Sequence, residues 1–302
     1  MQDINSLLTM QILDGKIVSQ ITKDKIQEEV ASLIQQGFRA PHLVAVIVGN
    51  DGASETYVAS KEKNSKKVGM DSTVIRLPEN VSETELLAEI KKLNDDDNID
   101  GILVQLPLPK HIDSQKVIEF IDPLKDVDGF HPINVGLMCK GLPTLLPATP
   151  YGILLLLEHY KINTSGMHCV VIGRSDIVGK PMSILMSRNE QPGNCTVTLC
   201  HSKTKDLASF TKQADIVIAA LGKPMNITAE MIKEGAIVID VGITRVNDDS
   251  AKGYSIKGDV DFDAVAPKTS FITPVPGGVG AMTIAGVIQN TLNAYKNNYL
   301  KR

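Results

Sequence analysis

The feature that most constrains the fold of this chain is the alternation of two hydrophobic patterns. Apolar runs of strand length, such as "HLVAVIVG" from His42 and "HCVVIG" from His168, alternate with segments of helical periodicity. This alternation is typical of α/β proteins with parallel strands. The runs are almost continuously apolar, which predicts strands that are covered on both faces.

The pattern occurs in two blocks, and a chain of 302 residues is long enough for two domains. The first block predicts a helix over 16–36, a helix that starts at Ser82 with a capping box to Glu85, and the strands "HLVAVIVG", "STVIRL" and "GILVQLPLP". The second block follows a stretch rich in Pro and Gly at 122–150. It predicts the strands "HCVVIG", "TVTLC", "DIVIAAL", "AIVIDVG" and "SFITPVPGG", a polar loop at 245–258 and a final helix.

Composition narrows the class of partner. With 43% hydrophobic residues, 22% charged residues and a net charge of -4, the chain resembles a globular protein that binds neither nucleic acid nor membrane. The N-terminus lacks the features of a secretory signal, and the longest aliphatic run, 153–157, is too short to span a bilayer. Four scattered cysteines predict buried, reduced thiols in a cytoplasmic protein, and six histidines without ligand spacing predict no metal site.

A glycine-containing turn marks a candidate cofactor site. In "VVIGRSDIVGKP", Gly173 directly follows an apolar strand and Gly179 lies near the start of the next helix. Small residues at such a turn let a pyrophosphate approach the helix N-terminus. The spacing is not G-x-G-x-x-G, so an ordinary strand-to-helix turn fits equally well.

The second strand of this block favours NADP over NAD. A NAD site usually has a carboxylate near the end of that strand, but here the chain reads "LCHSKT". Arg174, His201, Ser202 and Lys203 can instead meet a 2′-phosphate. A solvated basic loop remains an open alternative for Lys203.

The stretch "ETYVASKEK" contains Tyr57 and Lys61 in the Y-x-x-x-K spacing of short-chain dehydrogenases. In those enzymes the glycine-rich turn precedes the pair, whereas here it follows, so that interpretation is rejected. On a helix, Tyr57 and Lys61 share the more apolar arc with Ser54, Val58, Ser65 and Val68. Lys61 is therefore predicted to be partly withdrawn from water, in surroundings that suit proton transfer.

Three further polar residues are candidates for the same site. Gln105 ends an apolar strand, where open α/β sheets bind ligands, and Asp126 and Asp128 lie near the predicted domain junction. Alternatively, Gln105 pairs with backbone, and the aspartates stabilise a turn before Gly129. Turn formation fits Asp126 better than Asp128.

Six motifs in order resemble the bifunctional methylenetetrahydrofolate dehydrogenase/methenyltetrahydrofolate cyclohydrolase family, over nearly the whole chain. They are "YVASK", "VQLPLP", "KDVDGFHP", "GRSDIVGKPM", "GAIVIDVGI" and "SFITPVPGGVGAMT". The resemblance implies two α/β domains joined by long helices, with the active site in the cleft between them. Residues 1–148 and the helix 280–302 would form the folate-binding catalytic domain, and 149–279 a Rossmann-type NADP-binding domain.

The resemblance also implies the activity and the roles of single residues. The family oxidises 5,10-methylenetetrahydrofolate with NADP and hydrolyses the product to 10-formyltetrahydrofolate. Lys61 would be the general acid/base, Gln105 would hydrogen-bond to it, Tyr57 would stack on the folate, and Asp128 would bind the pterin. Further substrate contacts would come from Val104, Leu106, Pro276, Gly277, Gly278, Val279 and Gly280, and cofactor contacts from Gly173, Arg174, Ser175, Ser202 and Ile243.

Other expectations also follow from the resemblance. The family forms a homodimer through its cofactor domain, and it usually has proline where this chain has Ala281, which predicts a slightly more mobile loop. One alternative is a two-domain NAD(P)-dependent dehydrogenase of another small substrate. Another is a catalytically silent binding module, which the presence together of Tyr57, Lys61, Gln105 and Asp128 disfavours.

Overall fold

The structure is a computed structural model that describes residues 10–249 and 253–300. The chain forms two compact units. The large-sheet unit comprises the described residues of Met1–Val18 together with Ile153–Met282. The small-sheet unit comprises Ser19–Gly152 together with the described residues of Thr283–Arg302.

The helices and strands alternate along most of the chain, as the sequence predicts. In chain order they are β1 (Gln11–Ile12), α1 (Gly15–Gln35), β2 (His42–Val48), α2 (Gly52–Lys67), β3 (Asp71–Leu77), α3 (Glu83–Asp95), β4 (Gly101–Val104), α4 (Ser114–Phe120), α5 (Pro132–Cys139), α6 (Ala148–His159), β5 (His168–Ile172), α7 (Gly179–Ser187), β6 (Thr196–Cys200), α8 (Leu207–Thr211), β7 (Ile216–Ala219), β8 (Ala236–Asp240), β9 (Thr244–Asn247), β10 (Tyr254–Lys257), α9 (Phe262–Val265), β11 (Thr269–Ile272) and α10 (Val279–Asn298). The predicted capping box at Ser82 and Glu85 is present at the start of α3.

The small-sheet unit is built on three parallel strands in the order β3-β2-β4. Central strand β2 sends alternate side chains to opposite faces. Val44 and Val46 pack with α3 and α4, whereas Leu43, Ala45 and Ile47 pack with residues of α2 and α10. Both faces are therefore covered, which explains why the strand is apolar throughout.

The large-sheet unit contains six parallel strands in the order β1-β11-β8-β7-β5-β6. From β5 the chain goes first to β6 on one side and then to β7 on the other. The strand order thus reverses between β5 and β7, and open α/β sheets bind ligands at the carboxyl ends of strands at such a point. Gly173 lies there, directly after β5.

Three features of the strands differ from the sequence prediction. The polar loop predicted at 245–258 contains the antiparallel pair β9 and β10, whose short, half-exposed strands lack a long apolar run. The strand predicted from "GILVQLPLP" ends at Val104. Residues 11–12 were predicted to belong to the folate-binding domain, as part of 1–148, but they form strand β1, which pairs with β11 in the large-sheet unit. A strand of two residues is too short to produce a periodic signal in the sequence.

Three of the four cysteines are buried. Cys169, Cys195 and Cys200 are buried as predicted, but Cys139 is exposed at the end of α5, so that part of the prediction was wrong. Among the described residues, no helix combines the length and the apolar character needed to cross a membrane.

Candidate active site

Helix α2 presents Lys61 on its buried face. The helix begins at the N-cap Asp51, whose carboxylate accepts a hydrogen bond from Ser54 N at 2.8 Å. The predicted arc is confirmed: Ser54, Val58, Lys61, Ser65 and Val68 are buried and Tyr57 is half-buried, whereas Lys63, Lys66 and Lys67 are exposed. Lys61 is only 6% exposed, which is unusual for lysine.

Two side chains from other elements meet the Lys61 ammonium. Its Nζ donates a hydrogen bond to Gln105 Oε1 at 3.3 Å and lies 3.8 Å from Asp128 Oδ1. Gln105 follows β4, and Asp128 follows a segment that pairs with β4 through the bond from Ile102 N to Lys125 O. The structure therefore brings together Lys61, Gln105 and Asp128, which are widely separated in sequence.

The neighbours of Gln105 fix the orientation of its amide group. Its backbone N–H donates to Val46 O at 2.8 Å, and its Nε2 donates to Leu106 O at 2.7 Å. Because Nε2 is held by a carbonyl, Oε1 faces Lys61 as an acceptor. The predicted contact between Gln105 and Lys61 is present, and the pairing with backbone occurs as well.

The two aspartates of "KDVDG" have different surroundings. Asp126 accepts hydrogen bonds from Gly129 N, His131 N and Asn134 Nδ2, and burial raises the pKa of its carboxyl group. It therefore stabilises the turn, as predicted. The Asp128 side chain is 16% exposed and faces Lys61.

Lys125, in the same motif, has a structural role that the sequence did not reveal. Its ammonium is buried and donates to three carbonyl oxygens near the end of α3, those of Leu93, Asn94 and Asp96. These carbonyls have no partners within the helix, so Lys125 completes the helix end. Burial lowers the pKa of Lys125.

Three residues predicted to contact substrate have contrasting environments. Tyr57 lies one helical turn before Lys61, and burial raises the pKa of its phenol, so the hydroxyl stays protonated. Val104 is 5% exposed and packs in the core, leaving mainly its backbone for contacts. Leu106 is half-buried.

In the large-sheet unit, the turn after β5 requires both of its glycines. Gly173 has a φ of +122°, and a Cβ there would lie 2.1 Å from Ala220 O. A Cβ on Gly179 would lie 1.9 Å from Gly173 O. Ser175 Oγ accepts hydrogen bonds from Val178 N and Gly179 N at 3.3 and 3.4 Å, so its hydroxyl orders the turn before α7.

The polar groups near this turn are chemically suited to a phosphate. Arg174, Ser202 and Lys203 are exposed, and His201 is half-buried. The first carboxylate after β6, that of Asp206, accepts from Ser209 N at the N-terminus of α8. Because this acid is engaged in capping, the donors around Arg174 fit a 2′-phosphate better than a free ribose 2′-hydroxyl.

The stretch 276–280 is shaped by close packing within the large-sheet unit. Gly277 O accepts from Lys16 N at 3.1 Å, and a Cβ on Gly278 would lie 2.6 Å from Pro274 O. Gly280 packs on Ile243, which is 43% exposed. Pro276 is exposed and Val279 is buried.

Ala281 forms a bond that proline could not. Its N–H donates to Gly278 O at 3.2 Å, in the first turn of α10. Proline lacks this donor, although it is tolerated at such a position. Alanine, in place of the proline that the resemblance predicts, therefore allows one more hydrogen bond in this turn.

Two buried acids at the carboxyl ends of β8 and β7 were missed by the sequence analysis. Asp240 accepts from the backbone N–H groups of Gly242, Asp259 and Val260, and burial raises its pKa to about 6. Asp259 accepts from the N–H groups of 221–223, the loop that follows β7. The motif "GDVD" at 258–261 contains Asp259, but the motif alone does not distinguish a buried acid from an exposed one. The burial of Asp259 depends on its contacts with the distant loop 221–223.

The fold and these sites define a two-domain α/β protein with a dinucleotide-type turn in one unit and a lysine–glutamine–aspartate group in the other. Residues 13–128 match the catalytic domain of tetrahydrofolate dehydrogenase/cyclohydrolase, and residues 147–299 match its NAD(P)-binding domain. The chain belongs to the tetrahydrofolate dehydrogenase/cyclohydrolase family.

Individual relatives are similar over almost their full length. The chain is 63% identical to "Bifunctional protein FolD" of Flavobacterium johnsoniae, over 95% of this chain and 98% of that protein. The crystal structure of the bifunctional enzyme FolD from Campylobacter jejuni has 47% identity and a TM-score of 0.90, covering 95% of this chain and 99% of that one. The Trypanosoma brucei enzyme, solved with NADP and an inhibitor, has 37% identity and a TM-score of 0.90, covering 95% and 98%.

Proposed function

We propose that this chain oxidises 5,10-methylenetetrahydrofolate to the 5,10-methenyl compound with NADP, and then hydrolyses that product to 10-formyltetrahydrofolate. The observation that carries this proposal is the buried Lys61 ammonium between Gln105 and Asp128, in a chain of this family. If the chain were instead a dehydrogenase of another small substrate, the buried lysine and its two partners would have no evident role.

The oxidation requires positioning more than proton transfer. The methylene carbon of the substrate lies between two nitrogen atoms, so loss of a hydride leaves a delocalised amidinium-type cation. NADP, when bound, would supply the acceptor for that hydride. No proton has to be removed from the reacting carbon, so the protein's contribution is to hold the folate in a reactive orientation.

The hydrolysis requires proton transfer, and Lys61 is placed to supply it. Water adds to the methenyl carbon and loses a proton, and the C–N bond to one of the two nitrogens then breaks as that nitrogen gains a proton. Lys61 is the group that would move these protons. Gln105 Oε1 accepts from Nζ and so aligns the side chain.

The substrate-binding roles follow the chemistry of each group. The Tyr57 ring offers a stacking surface for a flat heterocycle, one turn from Lys61. The Asp128 carboxylate suits the donor groups of a pterin, with which it can form charge-assisted hydrogen bonds. Further contacts are proposed for Val104, Leu106 and Pro276–Gly280.

The cofactor is proposed to bind at the turn after β5. Gly173 keeps the backbone open there, and Arg174 and Ser202 would hold the 2′-phosphate. Ser175 and Ile243 are proposed to complete the contacts. The large-sheet unit would thus bind NADP, and the small-sheet unit, with α10, would bind the folate.

We also propose that the chain forms a homodimer through the large-sheet unit. In the described part of the chain, β6 pairs with β5 on one side only, and Leu199 and Phe210 nearby are each 36% exposed. Sedimentation of the intact chain would test this, and a monomer at micromolar concentration would contradict it.

Two assays on the same purified protein test the function. Purified protein with NADP and 5,10-methylenetetrahydrofolate should reduce NADP, and it should separately consume 5,10-methenyltetrahydrofolate faster than the uncatalysed hydrolysis. Reduction of NADP only with a different small substrate would support another dehydrogenase. Binding of folate and NADP without turnover would indicate a silent module, and either outcome would refute the proposal.

A further inference from the structure

The side chain of Asn290, on α10, joins two segments that flank Asp128 in the fold. It is 1% exposed, and its Nδ2 donates to Val127 O at 2.9 Å and to Leu146 O at 2.7 Å. Because both neighbours are carbonyl oxygens, they must face the amide nitrogen. Oδ1 is buried, and among the described residues it has no hydrogen-bond partner.

The bonds of Asn290 act on the peptide that carries Asp128. Val127 O belongs to the peptide group that joins Val127 to Asp128, and Asp128 O accepts from Ala148 N at 3.1 Å. The next residue, Gly129, has a φ of +74°, and a Cβ there would lie 2.4 Å from the carbonyl carbon of Leu146. The backbone of Asp128 is therefore held from both sides.

The packing around these bonds also relates Asp128 to Lys61. Val127 packs with Val58, which precedes Lys61 by one turn of α2, and with Val287, which precedes Asn290 by one turn of α10. The Lys61 and Asp128 charged groups are 3.8 Å apart, near the limit for an ion pair. A small rotation of the peptide between 127 and 128 would move the carboxylate out of reach.

We propose that Asn290 is a positioning residue, which holds the Asp128 carboxylate in the orientation that binds the folate substrate beside Lys61. This inference rests on the proposed function, because it requires Asp128 to contact substrate. A purely structural residue at this buried position would be better apolar, since an unpaired buried oxygen is unfavourable. The bonds to Val127 O, in the peptide next to Asp128, and to Leu146 O, beside Gly129, offset that disadvantage.

The test compares Asn290→Ala with two controls on the same helix. Gln289→Ala removes a neighbouring amide that donates to Asn293 within α10. Leu292→Val removes one methylene from a fully buried neighbour, so it reports the effect of weaker packing alone.

Asn290→Ala is expected to raise the KM for both folate substrates about tenfold, with kcat for NADP reduction and the KM for NADP changed less than about threefold. Neither control should raise the folate KM by more than about twofold.

A double-mutant cycle with Asp128→Asn distinguishes positioning from general loosening. If Asn290 acts through Asp128, Asn290→Ala should have almost no further effect on the folate KM in the Asp128→Asn background. If Asn290→Ala does not fold, Asn290→Ser, which keeps one donor, enters the same cycle.

The possible failures are distinguishable. Equal KM effects in both backgrounds, or a lower melting temperature with an unchanged folate KM, would overturn the positioning role while leaving the function intact. Absence of NADP reduction by the unmodified chain would instead refute the function on which the inference rests.

Discussion

At the scale of single residues, burial separates Lys61 from the other lysines of α2. Lys61 is 6% exposed and contacts two polar side chains, whereas Lys66 forms a solvent-exposed ion pair with Glu62. An exposed pair of this kind contributes little to stability. The helical period was enough to predict this difference from the sequence, because it depends only on which face of the helix meets the sheet.

Replacing Lys61 by methionine should separate the two proposed activities. Methionine retains the buried apolar volume but carries no proton, so hydrolysis of the methenyl compound should fall at least about 100-fold. Measurable NADP reduction should survive, because hydride transfer needs no base. Steady-state assays of both reactions check this, with Lys63→Met, on the exposed face, as control. Equal loss of both activities in a folded Lys61→Met protein would show that Lys61 only binds substrate.

Arg174 is predicted to set the preference for NADP. Arg174→Ala removes the charge proposed to meet the 2′-phosphate and should raise the KM for NADP about 10- to 100-fold, with little change for NAD. Lys203→Ala provides the comparison. Lys203 is exposed in the loop after β6, where its charge can be solvated by water without contacting the cofactor. An equal effect of Arg174→Ala on both cofactors would contradict the role.

At the scale of elements, the segment 125–131 connects the end of α3, the edge of β4 and the candidate site. Lys125 completes the helix end, Asp126 stabilises the turn, and Asp128 faces Lys61. The sequence favoured turn formation for Asp126 over Asp128 but did not reveal the role of Lys125. That role depends on the fold, because the pairing of this segment with β4 places Lys125 beside the end of α3.

Lys125→Met should destabilise the small-sheet unit. It removes a donor from the carbonyl oxygens of 93, 94 and 96, of which Asp96 O keeps its bond from Ile99 N. A buried carbonyl left unpaired costs ~1–3 kcal/mol, so a loss on the order of 2 kcal/mol is expected. Urea unfolding followed by circular dichroism measures the change in the free energy of unfolding. The control is Lys92→Met on α3 itself, whose exposed ion pair with Glu89 should matter by less than ~0.5 kcal/mol. Similar effects of the two substitutions would exclude the capping role.

At the scale of the whole molecule, Asp240 should make the stability of the large-sheet unit depend on pH. Burial raises the pKa of Asp240 from 3.8 to about 6, against the effect of its backbone donors. The folded chain then binds more protons than the unfolded chain between these values. The contribution to the free energy of unfolding is therefore fully present below pH 3.8 and lost as pH rises to about 6.

The size of this contribution is on the order of 3 kcal/mol, from a shift of roughly two pKa units at 1.36 kcal/mol each. Chemical denaturation between acidic and neutral pH measures it by comparing the native chain with Asp240→Asn, which cannot titrate. The native chain should gain stability relative to the variant as the pH falls through 6. A difference that stays constant with pH would show that Asp240 does not titrate in this range.

The sequence by itself determined the fold class, most of the strands and helices, the face of α2 that carries Lys61 and the family. These depend on local periodicity, on short-range capping and on ordered motifs, all of which are present in the linear chain. Tertiary structure decided which strands pair, and so where β1 and the β9–β10 hairpin lie. It also decided the roles of Lys125, Asp240, Asp259 and Asn290, because each of these side chains meets partners distant in sequence whose positions follow only from packing.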